Sequence, residues 1–440
     1  MRRGNASYIC ILVTIALVYF GSLYITARLS GSTTCFSIFH KEDDQQMQSV
    51  SRETQQQQQQ QEEEAVVVCP PAPEPIVVKS PAACPSTQPL SASPSSNSTT
   101  ASPDEVNRAN AVIVILCRNS ELLPMRRTMR ELEDRFNRKF GYPYVFLNDE
   151  PFTDTFKESI RAMTDAPIQF GLVPEEMWSV PTWVNESIMN ENFAAYEAQR
   201  VLYGGSLSYR HMCRFNSGFF YRHPLLASYD YYWRVEPGVH FYCDLDYDPF
   251  LFMQENGKEY GFTITLEEIP ETIPSIWRHT LEFARRNKLN TTLLRMFGDE
   301  DGYNLCHFWS NFEIASLNLW RDEKYQAYFD YLDKTGNFYY ERWGDAIVHS
   351  LAAGLFLNKS QVHFFSDIGY KHDNFAHCVE TDTAFGKCFC PEDTANFDYM
   401  QGSCLPVWNS YPEEGHEWNL RPVFPELVDD GVFFDETNTI

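Results

Sequence analysis

Glu236 stands where a run of aromatic residues, 229–250 (YDYYWRVEPGVHFYCDLDYDPF), is broken by Pro237 and Gly238. A buried strand normally avoids Arg and Glu, yet Arg234 and Glu236 close this one, at the point where Pro and Gly force a turn. Ligands of open α/β sheets gather just beyond the carboxyl ends of the strands. A carboxylate held there by a rigid turn can anchor a metal ion or a diphosphate. A structural Arg–Glu pair accounts for the same residues, and this segment alone leaves both readings open.

Four further clusters carry chemistry. Residues 304–313 (NLCHFWSNFE) read as an aromatic-rich helical segment ending in Glu313. Burying that carboxylate costs several kcal/mol unless it is paired or functional, which marks it as a reacting or stabilising group. Residues 362–368 (VHFFSDI) read as a strand left through Gly369 towards His372. His372 and Glu236 both follow a strand at a turn, so they can share one face. A lone histidine is more often structural than a ligand. Residues 208–215 (SYRHMCRF) gather Tyr209, Arg210, His211 and Arg214 in an acidic chain, which suits a phosphate-rich ligand with Tyr209 as hydroxyl donor; a solvated helix start fits the run equally well. Glu341, Arg342 and Asp345 sit at a turn between helices, as a salt-bridge cluster or a substrate contact.

The elements that must position these groups begin at residue 111. The apolar run 111–117 (AVIVILC) has the length and continuity of a buried parallel strand. Leu122, Met125, Met129, Leu132 and Phe136 follow at helical spacing, Gly141 ends the helix, and 142–149 (YPYVFLND) forms a second strand. This βαβ unit predicts parallel pairing. A third helix–strand pair falls at 157–163 and 168–173. Arg118 leaves the first strand at the edge where nucleotides dock, as a donor contact or as a helix-start salt bridge. Neither G-x-G-x-x-G nor a Walker loop is present, which argues against a dinucleotide fold or a P-loop ATPase.

The chain has 440 residues, a net charge of −25 and twelve cysteines. The acidic balance argues against nucleic-acid binding but not against a nucleotide bridged by a divalent cation. Residues 8–29 contain an uncharged apolar run long enough to span a bilayer, with no small-residue cleavage site after it, so they read as an uncleaved signal-anchor. Residues 1–7 then form a short cytosolic tail. Residues 30–105, rich in Gln, Pro, Ser and Thr, form a disordered stem. Residues 106–440 form one lumenal catalytic domain. Sequons at Asn97, Asn185, Asn290 and Asn358, with eight cysteines in the globular part, suit a secretory lumen, although the pairing is not readable. Zinc is disfavoured because Cys388-Phe-Cys390 is too tight and lacks a second pair.

The segments SLSYRHMCRF, YYWRVEPGVHFYCDLDYDPF, YNLCHFWSNFEIASLNLWR, FYYERWGDAIVHSLAAGLFL and HFFSDIGYKH resemble, in order, the fungal KTR-type α-1,2-mannosyltransferases, glycosyltransferase family fifteen. The resemblance runs from about Ala111 to about His372. It implies a GT-A-like mixed α/β sheet with a βαβ nucleotide-binding half, in a Golgi type II membrane protein. It also implies a GDP-mannose donor, Mn²⁺, a mannose-terminated acceptor on O-linked or N-linked glycans, and retention of anomeric configuration. Glu236 corresponds to the metal–diphosphate carboxylate and His372 to the other metal-associated residue. Glu313 matches the proposed nucleophile and Tyr209 the tyrosine near the donor. Arg118, Arg210, Arg234 and Asp345 complete the expected donor contacts. Position 238 is Gly where some members carry Asp. A mannosylphosphate transferase and an inactive mannan-binding relative are the alternative readings.

Overall fold

The computed structural model describes residues 107–289, 293–299, 301–379 and 387–412. The expected tail, anchor and stem (1–7, 8–29 and 30–105) lie outside them. Among the described residues no helix is long and apolar enough to cross a membrane.

Twelve strands are present among the described residues: β1 (Ala111–Leu116), β2 (Tyr144–Asn148), β3 (Ile168–Leu172), β4 (Tyr231–Arg234), β5 (His240–Phe241), β6 (Tyr260–Phe262), β7 (Thr265–Glu267), β8 (Cys306–Phe308), β9 (Glu313–Ser316), β10 (Val362–Phe364), β11 (Tyr370–His372) and β12 (Phe375–His377). Seven of them form the main sheet in the order β10-β6-β9-β4-β1-β2-β3. β1 pairs in parallel with β2 and with β4, β2 with β3, and β10 with β6; β9 alone runs antiparallel, between β4 and β6. The chain therefore moves outward from β1 through β2 and β3, then returns to the other side of β1 as β4. That reversal is the topological switch point, and the crevice beyond β1 and β4 is where this class of sheet takes its ligand.

The period-two alternation of the strands divides the core into two layers. Val112 and Val114, Val145 and Leu147, Tyr232 and Ala315 face one side. Ile113 and Ile115, Tyr144 and Phe146, Trp233 and Ile314 face the other. The second face is covered by α1 (Leu122–Leu132), through Met125, Met129 and Leu132, and by α2 (Asp154–Arg161), through Phe156 and Ile160. α1 passes into one π-helical turn and stops at Gly141, whose φ of +66° is the left-handed stop expected of glycine.

The first face carries more helices: α3 (Glu186–Ala198), α4 (Leu207–Gly218), α5 (Ile276–Arg286), α6 (Glu323–Lys334) and α7 (Asp345–Phe356). α4 is locked to α6 by a buried, two-pronged ion pair: Arg214 Nε and Nη2 donate to the Asp333 carboxylate at 2.7 and 2.8 Å. Arg214 is thus a structural residue rather than a phosphate ligand, and α4 is not a solvated helix start, since eight of its residues are buried.

The parallel opening, the strand at 168–173 and the helix before it appear as expected. The segment around Glu313 does not. It is the first residue of strand β9, not the end of a helix, because β9 fills the slot between β4 and β6 and its edges are needed to complete both ladders. Three disulfides join six of the eight globular cysteines: Cys243–Cys388, Cys306–Cys404 and Cys378–Cys390. Cys117 and Cys213 are buried thiols.

A side chain at Gly218 has no room, because a Cβ there would lie 1.9 Å from the Phe329 ring of α6. Gly218→Ala is expected to destabilise the protein by about 1–3 kcal/mol, read as a lower midpoint in thermal or urea unfolding.

Candidate active site

A cleft of about 700 Å³ opens at the carboxyl ends of β1 and β4. Arg118, Tyr209, Arg234, Glu236, Glu313, Asp345 and His372 all line it, so seven of the eight residues singled out by the sequence converge.

Strand β4 supplies the first of them. Tyr232 and Arg234 are two residues apart and so point to the same face. Arg234 is the charge at the centre of the cleft. Its Nε and Nη2 donate to Glu236 Oε1 at 2.9 and 2.5 Å, and its Nη1 donates to Ser310 Oγ at 3.2 Å and to Asp345 Oδ2. Ser310 Oγ also donates to Asp345 Oδ2 at 2.7 Å. Burial works to raise the Asp345 pKa, but the Arg234 charge outweighs it and holds the carboxyl below its ordinary range. Burial likewise works against the Arg234 charge, yet Asp345 and Glu236 keep that guanidinium protonated.

After Glu236 the chain turns through Pro237 and Gly238. Gly238 has φ +87°, which only glycine adopts without strain, and its N–H donates to Thr128 Oγ1 of α1 at 3.0 Å. The turn leads directly into β5, which pairs with β11 in a second sheet ordered β12-β11-β5. β11 ends at His372. Its Nε2 is 3.5 Å from Glu236 Oε2 and its Nδ1 is 3.1 Å from the Asn311 amide nitrogen, with the Trp309 ring edge-on at 5.0 Å. The small sheet therefore sets the separation of carboxylate and imidazole.

Glu313 lies deeper. It is wholly buried, opposite Arg234 in the β4–β9 ladder. Tyr232 Oη donates to its Oε1, and His349 Nδ1 of α7 lies 2.8 Å from its Oε2. Tyr209, on α4, accepts a hydrogen bond from Arg342 Nη1 at 3.1 Å and stacks on Tyr203 with ring centroids 4.6 Å apart. Burial pushes its phenol well up, so it remains a neutral hydroxyl. Arg118 Nη2 donates to Ser208 Oγ at 2.6 Å across the mouth of the cleft.

Arg210 is the exception. It is 1% exposed and does not line the cleft; its guanidinium stacks on Phe193 of α3 at 4.4 Å and donates to the Tyr203 carbonyl. Successive helical residues point about 100° apart, so Tyr209 and Arg210 cannot face the same ligand. Tyr209, Met212 and Asn216 line the cleft instead, at helical spacing. Of the turn at 341–345, Glu341 serves the structure, accepting from Ser275 Oγ and Trp343 Nε1, while Arg342 bridges Tyr209 and Glu268. Sequence reasoning missed Tyr232, Ser310, Asn311 and His349. His349 had a usable signal: with Asp345 it makes an i, i+4 polar pair on an otherwise apolar helix.

A mixed sheet with charged groups converging at its switch point belongs to the nucleotide-binding α/β class. The chain belongs to the glycosyltransferase family described as glycolipid 2-alpha-mannosyltransferase, whose profile matches residues 75–413. It is 50% identical over 303 residues to the O-glycoside alpha-1,2-mannosyltransferase omh1 of Schizosaccharomyces pombe, covering 68% of this chain and 77% of that protein. Among solved structures it is similar to core-mannan synthase A of Aspergillus fumigatus in its Mn/GDP form, at 42% identity and a TM-score of 0.66, over 70% of this chain and 87% of that one. The mannosyltransferase Ktr4p of Saccharomyces cerevisiae in complex with GDP matches at 39% identity and a TM-score of 0.65, over 69% of this chain and 82% of that one.

The Arg234–Asp345 pair has a pH signature. Because the folded-state pKa of Asp345 is depressed, its stabilising contribution is complete above the unfolded Asp value of about 3.9 and disappears as pH falls through the folded value. Asp345→Asn is expected to lower stability at neutral pH and to flatten the acid limb of a Tm-against-pH curve relative to the unaltered protein.

Proposed function

We propose that this chain transfers mannose from GDP-mannose to the 2-hydroxyl of a mannose-terminated glycan, with retention of anomeric configuration. The observation that carries the reading is the convergence, in one cleft, of a carboxylate–imidazole pair 3.5 Å apart with a second carboxylate, Glu313, behind it. Family membership and the GDP carried by the two solved relatives support the donor.

The residues present fit a divalent cation. Mn²⁺ accepts oxygen and imidazole ligands together, and Glu236 with His372 offers one of each. Among the described residues no group of three or more His, Cys, Asp or Glu gathers as a closed cage. Two protein donors beside an open cleft suit an ion shared with a substrate diphosphate better than a structural one. When bound, Mn²⁺ supplies charge neutralisation for the departing GDP.

The protein groups divide the rest of the work. Glu236 and His372 would hold the ion. Arg234 fixes Glu236 through two hydrogen bonds and is itself kept in place by Asp345. Arg118 and Tyr209 at the mouth would contact the diphosphate, as a cation and a neutral hydroxyl donor. Glu313 faces the site as the carboxylate that meets positive charge at the anomeric carbon, either by bonding to it, as retaining glycosidases do, or by stabilising it electrostatically.

A Golgi type II setting completes the proposal, with the acceptor an O-linked or N-linked glycan of a mannoprotein. The apolar run in 8–29 supports an anchor. The three disulfides and the exposed sequon residues Asn185 and Asn358 support a lumenal body.

The test is product analysis with GDP-mannose, Mn²⁺ and α-methyl mannoside. An α-1,2-linked dimannoside is expected. An acid-labile phosphodiester would make the protein a mannosylphosphate transferase, and sugar binding without transfer would make it an inactive binder. Glu313→Gln is expected to lower kcat by at least about 10²-fold while GDP–Mn²⁺ affinity, measured by calorimetry, stays near its original value. His372→Ala should instead weaken GDP binding only when Mn²⁺ is present, which identifies it as an ion ligand.

A further inference from the structure

His349 sits at the centre of a hydrogen-bond chain whose directions can be assigned. Its Nε2 is 3.1 Å from the backbone carbonyl oxygen of Asn216. A carbonyl only accepts, so Nε2 carries a proton. Its Nδ1 is 2.8 Å from Glu313 Oε2. A neutral imidazole protonated on Nε2 would turn a lone pair towards that oxygen, which is repulsive against a carboxylate. One proton must therefore lie between the two groups.

The surroundings favour placing it on the imidazole. Trp320 Nε1, which can only donate, reaches Tyr232 Oη at 2.9 Å, so the single hydroxyl proton of Tyr232 is directed to Glu313 Oε1. A donor aimed at Oε1 favours the ionised carboxylate. Asn216 lies in the last turn of α4, where helix carbonyls lack intrahelical partners and the helix dipole favours a cation. Trp320 stacks on the imidazole with ring centroids 4.1 Å apart, and its face favours a cation as well.

We propose that His349 is a positioning residue for the transfer: a doubly protonated imidazole that joins the end of α4 to Glu313 and keeps that carboxylate ionised and aimed into the cleft. The role rests on the mannosyltransferase reading above, in which Glu313 faces the anomeric carbon. The titratable groups around the pair are already accounted for. Burial pushes the phenols of Tyr232, Tyr260 and Tyr325 well up, so all three stay neutral. Arg234 stays charged and Asp345, one turn before His349 on α7, stays ionised. Burial also raises Cys213, on α4 beside Asp345, which remains a thiol. The hydrogen-bond directions thus leave one proton between Glu313 and His349. Its loss on the alkaline side leaves a lone pair facing a carboxylate and undoes the alignment.

Two measurements on the full-length chain test this. In the first, the protein carries ¹⁵N-labelled histidine, and the His349 signals are assigned by their disappearance in His349→Asn. Two protonated ring nitrogens near neutral pH are expected; an unprotonated Nδ1 would overturn the proposal. This readout needs no turnover, so it separates failure of the proposal from failure of the mannosyltransferase reading. In the second, His349→Asn offers Glu313 an amide donor that does not titrate. The expected result is a fall in kcat of about 10- to 100-fold, the usual range for loss of an orienting partner, with KM for GDP-mannose little changed and the alkaline limb of kcat against pH flattened. A purely structural role would lower the melting temperature and leave the shape of that limb unchanged, and that outcome would also overturn the proposal.

Discussion

A guanidinium at the end of a buried strand is the constraint around which the cleft is arranged. Arg234 brings a positive charge to the point where β4 leaves the sheet, and the charge is tolerable there only if it is surrounded by acceptors. Glu236, Ser310 and Asp345 surround it, and they come from the turn after β4, the segment before β9 and the start of α7. One side chain thereby fixes three pieces of chain that have no neighbouring positions in sequence. Removing the charge would free Glu236 from its orientation and leave Asp345 buried without a counter-ion, so the cleft's shape and its electrostatics depend on the same group.

Behind this pair the site becomes drier and more closely specified. Glu313 is wholly buried, yet neither of its oxygens lacks a partner, because Tyr232 and His349 approach from opposite elements. The polar groups form two adjoining sets along the β4–β9 ladder. The outer one, with Arg234, Glu236 and His372, is partly open to solvent. The inner one excludes water and is built to hold a single carboxylate in one rotamer. Charge in the first set is matched at the rim of an open cleft; charge in the second is matched wholly in the interior.

Much of this was visible in the residues. The βαβ opening followed from an apolar run, a helical stripe and a glycine stop. Glu236 and His372 were recognisable because each is a polar residue leaving a strand at a Gly turn, a position that burial alone does not explain. Glu313 drew attention through the cost of burying it, but its secondary structure was misread: the aromatic residues Phe308, Trp309 and Phe312 ahead of it look helical, while the strand that Glu313 opens is only four residues long and has no aromatic residue of its own. Arg210 failed for a geometric reason, since proximity in sequence to Tyr209 says nothing about which side of a helix a residue occupies. Tyr232 and Ser310 were hidden because their function depends on partners far away in the chain, and pairing of that kind leaves no local pattern.

The small sheet that joins Glu236 to His372 has a further consequence for how the protein is made. β5 comes from the middle of the catalytic body and β11 from its last third, and Cys243 just after β5 is closed onto Cys388 beyond β11 over a separation of 145 residues. Long closures of this kind are entropically costly and slow to form. The parallel strands β1, β2 and β3 can associate while the chain is still emerging, but the carboxylate–imidazole pair has to wait until its last third has been synthesised. A nascent or truncated chain can therefore possess half of the main sheet while the carboxylate–imidazole pair of the cleft is still missing, because that pair forms only once the segment carrying β11 is present.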